Sequence, residues 1–167
     1  MSLSQKFSAG KFVVMAEMNT PKGVDISELI TNAKRLKGRV DAVVIPDMDN
    51  GIMRMSALAG GVLMRQQGIE TMIHVYGRDR NRMALQGDLL AAHVMGIQNV
   101  LVAPGEPVAS GDHREASAVD DLDEQGILKM IASLQEGVDL AGFELKGAPE
   151  FSVGCAMAPF ADDAEME

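Results

Sequence analysis

The sequence predicts an α/β domain built on a parallel sheet, and three observations carry that prediction. Short β-prone runs alternate along the chain with longer segments of helical period. The runs, Ala42-Val43-Val44-Ile45 above all, are apolar at consecutive positions, as strands are when both faces of a sheet are covered. Every unusual polar, glycine or proline cluster follows the C-terminal end of such a run: residues 17–21, 46–51, 77–81, 105–114 and 157–160. The opposite connections, Lys37-Gly38-Arg39 and Gly96-Ile97-Gln98-Asn99, are short and plain. An open doubly wound sheet and a closed (β/α)8 barrel both fit this pattern. In each, loops at the strand C-termini gather on one face, where ligands bind.

The elements follow in order. A first strand over residues 12–16 runs through Val13, Val14 and Met15, reaches Glu17 and breaks at Asn19-Thr20-Pro21. The opening Met1-Ser2-Leu3 is set aside as an expression scar. A helix over 26–37 is read from Ile26, Leu29, Ile30, Ala33 and Leu36 at helical spacing. The second strand takes 41–45, and a helix 55–67. The third strand, 71–75, carries His74 and precedes a helix over 81–95. The fourth, 100–103, leads into an irregular stretch from 104 to 123, long enough in a compact domain to suggest function. A helix over 124–136 and a strand over 151–155 complete the pattern.

Composition narrows the function classes. At 167 residues, with 47% hydrophobic and 23% charged residues, the chain fits one ordinary globular domain, residues 1–167. Its apolar runs fall far short of the ~20 residues that span a bilayer, so no membrane role is expected. A net charge of −9 disfavours nucleic acid, whose affinity comes mainly from Lys and Arg on phosphate. One cysteine, Cys155, and no recognisable leader point to a reducing cytoplasm.

Glu17 is the first candidate for chemistry. A buried strand has no structural use for a terminal charge, because burying an unpaired carboxylate costs several kcal/mol. Either Glu17 reaches water or it is a general acid or base tuned by Val13, Val14, Met15 and Met18. His74 lies between Ile73 and Val75 near a strand end, as a packed histidine or a ligand contact. Arg78, Arg80 and Arg82 suit an anion at a helix start, or belong to a solvated start capped by Asp79 or Asn81. Pro104-Gly105-Glu106-Pro107 lets a flat ring approach backbone beside an acid, although a turn would use the same residues. The dinucleotide and P-loop fingerprints are absent, as is the G-x-S-x-G elbow. His74, His93, His113 and Cys155 lack metal-ligand spacing, so no metal is expected. His93 is read as a packing or surface residue, Cys155 as a small buried hydrophobe, and the thirteen methionines mostly as core.

Over residues 12–160 the chain resembles the methylenetetrahydrofolate reductases. The resemblance is carried by Glu17 with Thr20-Pro21-Lys22-Gly23, Met55-Ser56, His74 with Arg78-Asp79-Arg80-Asn81, Gly96-Ile97 with Asn99-Val100-Leu101, Gly105-Glu106, Asp121-Leu122-Asp123 and the late FSVGCAMAP. It implies a (β/α)8 TIM-type barrel binding FAD, with FMN as the alternative and NADH or NADPH as electron donor. It also implies hydride transfer from reduced flavin to 5,10-methylenetetrahydrofolate in one-carbon metabolism, giving 5-methyltetrahydrofolate. By position, Glu17 resembles the family's general acid, which assists opening of the folate ring. His74 resembles a flavin contact, and Ala103, Pro104, Gly105 and Glu106 match the segment lying against the flavin, where the acid, counted here as catalytic, tunes flavin and folate. The implied picture keeps Glu17 protonated in an apolar site. Glu106 stands where the family usually has aspartate, Pro104 where an arginine or small polar residue is common, and Pro46 where threonine is frequent. Eight β/α units need ~200 residues, so about five are expected here: an incomplete barrel, inactive alone as a fragment or completed by a second copy or partner subunit.

Overall fold

The computed structural model describes residues 1–156, so the expected loop at 157–160 lies outside the described residues. Five parallel strands, β1 (Met15–Glu17), β2 (Ala42–Ile45), β3 (Thr71–Val75), β4 (Asn99–Val102) and β5 (Ser152–Cys155), pair in sequence order. Helices α2 (Ser27–Leu36), α3 (Ala57–Gln66), α4 (Arg82–Val94) and α5 (Glu124–Gln135) each connect one strand to the next. All four contribute to one buried cluster on a single side of the sheet, where Leu29, Met64, Leu89 and Ile131 pack on Val43, Ile45, Ile73, Val75, Val100 and Val102. Unbroken strand order with these helices on one side is the arrangement of a partial (β/α)8 barrel. A doubly wound sheet reverses its order at a switch point and carries helices on both faces. Among the described residues, no helix is long and apolar enough to cross a membrane.

Alternation along the strands assigns the other face, which is the inside of the partial barrel. Ala42, Val44, Met72 and Leu101 lie there, and pairing of Met15 with Ala42 and Glu17 with Val44 puts those β1 residues on the same side. Only part of this face is covered: Met15 is 43% exposed. Among the described residues, β1 and β5 each have a partner on one side only, the open edge expected of five strands.

The sequence-based boundaries hold for the helices and for β2, β3, β4 and β5 to within about two residues. Four expectations change. The first strand is shorter and lies later, because Phe12 and Val14 face solvent (91% and 44% exposed) and Glu17 is its last residue. The discarded opening folds into helix α1 (Leu3–Ser8). Ser2 and Gln5 form a reciprocal capping box there, and Leu3 is buried against Ala42 and Met72. Cys155 is exposed rather than buried, because no described element covers β5 on its helix side. Of the methionines, Met64 and Met130 are core, but Met1, Met15, Met53, Met83 and Met95 are exposed.

Helix α3 sits unusually close to the sheet. A Cβ on Gly60 would fall 2.6 Å from Thr20 Cγ2, and one on Gly61 2.7 Å from Ile97 Cδ1. Gly60 lets the loop after β1 tuck against the start of α3, which fixes the rim discussed next, and Gly61 lets the helix approach Ile73 and Ile97.

Candidate active site at the C-terminal ends of the strands

Glu17 closes β1 on the inner face and is solvent-exposed. The loop after it is held firmly. The Met18 amide donates to Val44 O (2.9 Å), the buried Thr20 hydroxyl donates to Met55 O, and the Met55 amide donates to Pro21 O (3.0 Å). The apolar enclosure expected around Glu17 is not built by its own strand. Val14 and Met15 are exposed, and Met18 turns instead into the helix-side core. An open depression of about 430 Å³ lies beside Glu17, lined by Thr20, Asp25, Glu28 and Arg54 among others.

His74 lies on the inner face opposite Leu101, and its Nδ1 is 2.6 Å from the hydroxyl of Tyr76. The two rings meet edge to face, 5.6 Å between centroids. Burial pushes the imidazole below its ordinary pKa, against the pull of four carboxylates: Glu17, Asp49, Asp47 and Glu106. Tyr76 is only 4% exposed. Burial raises its phenol well above the usual value, and Glu106, Asp49 and Asp47 add to the shift.

The arginines of residues 78–82 are all paired, so the structure favours the capped-helix reading over an anion site. Asn81 caps α4 by accepting from the Met83 and Ala84 amides. Arg78, 5% exposed, donates from Nε and Nη2 to Asp79 (2.9 and 2.5 Å), from Nη1 to Glu106 O (3.0 Å) and from Nη2 to Met48 O (3.2 Å). It therefore pins the loops after β2, β3 and β4 together, with its guanidinium 5.6 Å from the Tyr76 ring centroid. Arg80 bridges Asp47 (2.5 Å) and Asp88 (2.9 Å), and Arg82 pairs with Asp121 (2.9 Å), whose carboxyl is held down at about 2. Asp47 also accepts from the Ala57 amide at the start of α3 (2.8 Å).

At the end of β4, Ala103 is buried and Pro104 exposed. Gly105 lies on Arg78, where an added Cβ would be 3.2 Å from Arg78 Cβ, so glycine permits the approach. Glu106 Oε2 is buried with no hydrogen-bond partner among the described residues, and Arg78 Nη1 stays 3.9 Å away. The long loop that follows is anchored to the other rims. Gly111 packs against Gly51, and Asp112 binds Lys22, the Met53 amide (3.0 Å) and His113 (2.8 Å). Those three contacts hold its carboxyl far below the usual range.

The structure thus gathers Glu17, His74 and the Ala103–Glu106 segment on one rim and places His93 apart. His93 Nδ1 accepts from the Glu150 amide (3.2 Å) and its ring packs on Phe151, the packing role expected of it. Sequence reasoning missed Asp47, Tyr76 and Asp112. For Tyr76 a signal existed, since it lies two positions after His74 and side chains two apart on an extended strand share a face. Asp47 and Asp112 act through contacts distant in sequence that no local pattern carries. Among the described residues, no group of three His, Cys, Asp or Glu side chains is placed to hold a metal ion.

A search of curated proteins found no matching sequence. The family model described as methylenetetrahydrofolate reductase matches residues 2–166. With that match across essentially its whole length and a sheet of partial-barrel type, the chain belongs to the methylenetetrahydrofolate reductase family.

Proposed function

We propose that the rim formed by Glu17, His74 and Ala103–Glu106 is the flavin and folate side of a reductase converting 5,10-methylenetetrahydrofolate to 5-methyltetrahydrofolate. One observation carries the reading: at the end of the third strand Arg78 ties in the loops after the second and fourth, beside the His74–Tyr76 pair and the buried, unpartnered Glu106 Oε2. That convergence is what a site assembled from several strand ends requires.

The residues present fit a flat heterocycle. Glu106 Oε2 is a buried acceptor awaiting a donor, as the N–H edge of a flavin or pterin ring would provide. Opposite His74 and Leu101 the β5 position is Gly154, where a Cβ would fall 3.1 Å from Leu101 Cδ1, so this row of the inner face stays low. FAD is the proposed cofactor and FMN the alternative, with NADH or NADPH reducing it. When bound, the flavin supplies the hydride. Ala103, Pro104 and Gly105 would lie against it, with His74 as a polar contact. Glu17 would deliver a proton to the folate nitrogen that leaves as the ring opens, and Glu106 would accept from ring N–H groups. Because Glu17 faces solvent in the open sheet, its role as an acid needs the inner face covered. We assign that cover to the bound rings together with a second copy or a partner subunit.

The test is flavin binding by the purified chain. The protein has one tyrosine, Tyr76, and no tryptophan, so quenching of its intrinsic fluorescence reports on this rim. FAD or FMN should quench it saturably. Glu106→Ala should weaken binding roughly ten- to hundredfold, the value of a lost hydrogen bond to a charged group at about 1.5–3 kcal/mol. Glu17→Gln should keep the flavin and, in the covered assembly, lose turnover. Absence of saturable quenching by either flavin overturns the reading.

A further inference from the structure

We propose that Tyr76 is a positioning residue for His74. By donating its hydroxyl proton to Nδ1, it holds the imidazole in the Nε2–H form, so that His74 offers a ligand on the inner face an N–H donor rather than a lone pair. The ligand half of this statement rests on the functional reading above; the tautomer half stands on the geometry alone.

The 2.6 Å contact between His74 Nδ1 and Tyr76 Oη admits two proton arrangements. In one the phenol donates and Nδ1 accepts. In the other Nδ1–H donates, and the phenolic proton must find another acceptor. Tyr76 is 4% exposed, and His74 is its one side-chain hydrogen-bond partner among the described residues. The second arrangement therefore orphans a buried hydroxyl proton, which the first does not. The first satisfies both groups and leaves the other imidazole nitrogen protonated. Protonating the imidazole fully would recreate the conflict, since both ring nitrogens would then be donors.

The surrounding charges complete the argument. Glu17 from β1, Asp47 and Asp49 from the loop after β2, and Glu106 from the loop after β4 all favour an imidazolium. Burial opposes them and prevails, and the phenol–imidazole bond works in the same direction. Those same carboxylates, Glu17 apart, make ionisation of Tyr76 harder, so the donor keeps its proton. Arg78, the nearest cation, is already bound to Asp79, Glu106 O and Met48 O. The ligand chemistry follows: the atom facing His74 is an acceptor, such as a ring carbonyl oxygen or an unprotonated ring nitrogen.

The experiment is 15N NMR of the full chain with labelled histidine, without flavin and with FAD or FMN. His74 should show an unprotonated, hydrogen-bonded Nδ1 and a protonated Nε2 at neutral pH. Tyr76→Phe should remove the hydrogen-bond shift at Nδ1 and let the Nδ1–H form appear, while urea unfolding confirms that the variant is folded. FAD or FMN should shift the Nε2–H resonance of the unmutated protein. A proton on Nδ1 in the unmutated protein overturns the proposal, as does a Tyr76→Phe spectrum with Nδ1 unchanged. The expected tautomer with no effect of FAD or FMN would uphold the positioning and overturn the flavin reading instead.

Discussion

Removing the carboxylate of Asp47 tests how the rim is held. Asp47 is 4% exposed and has two tasks: it accepts from the Ala57 amide, which lacks a partner within the first turn of α3, and it neutralises Arg80. Among the described residues, Asp47→Ala leaves Arg80, 19% exposed, with Asp88 alone, which is itself 47% exposed. Breaking one side of a buried pair costs about 3–5 kcal/mol. The surviving Asp88 contact places this case near about 2–3 kcal/mol, and the orphaned amide adds about 1. A loss of about 3–4 kcal/mol, at a urea slope near 2 kcal/mol/M, lowers the unfolding midpoint by about 1.5–2 M. Asp47→Asn keeps an acceptor for the amide and should lose about 1 kcal/mol less. Histidine NMR supplies a second readout: with one of its four carboxylates gone, His74 should titrate at still lower pH. A loss under about 1 kcal/mol for Asp47→Ala, or a His74 midpoint that rises, would refute this account of the rim.

Three further outcomes follow from the same geometry. Because the folded pKa of His74 lies below its unfolded value of about 6.5, the unfolded chain binds more protons in the interval between them. Stability should therefore be complete above that value and fall as pH drops through the interval, and urea midpoints measured across it should lose this step in His74→Gln. Leu3→Ala, which empties a side chain 1% exposed between α1 and the sheet, should cost about 2–5 kcal/mol in urea unfolding; a neutral result would mean that the opening helix is not docked. Gly111→Ala would drive a Cβ into the carbonyl oxygen of Gly51, so the loop over 104–123 should separate from its neighbour and become more sensitive to limited proteolysis.

Much of the architecture was legible because it rests on period and order. Apolar positions at helical spacing marked α2, and the continuous run Ala42–Ile45 marked a strand covered on both sides. The open edge of β5 followed from counting units. What was not legible depends on contacts between distant residues. Leu3 looked, with Met1 and Ser2, like an expression scar, yet it is fixed by Ala42 and Met72, which no local pattern shows. Cys155 read as buried from its place in a strand and Val14 as part of the first strand, but among the described residues no element covers β5 on its helix side, and Val14 lies exposed before β1 begins. The candidate site divided in the same way. Glu17, His74 and Glu106 stood out as polar groups at strand ends, whereas the arginines looked available until their partners Asp79, Asp47, Asp88 and Asp121 were placed. The Glu17 environment was misread because neighbours in sequence were taken for neighbours in space, and alternation sends Met18 to the opposite face.

The central claim is that this rim, and no other face of the sheet, receives the flavin. Backbone 1H–15N spectra recorded during titrations with FAD and with FMN test it most directly. The account predicts shifts concentrated at Glu17, His74, Tyr76, Ala103, Gly105 and Glu106. Shifts concentrated at Lys37, Gly38, Gly96 and Gln98 on the opposite rim, or none at all at saturating FAD and FMN alike, would contradict it.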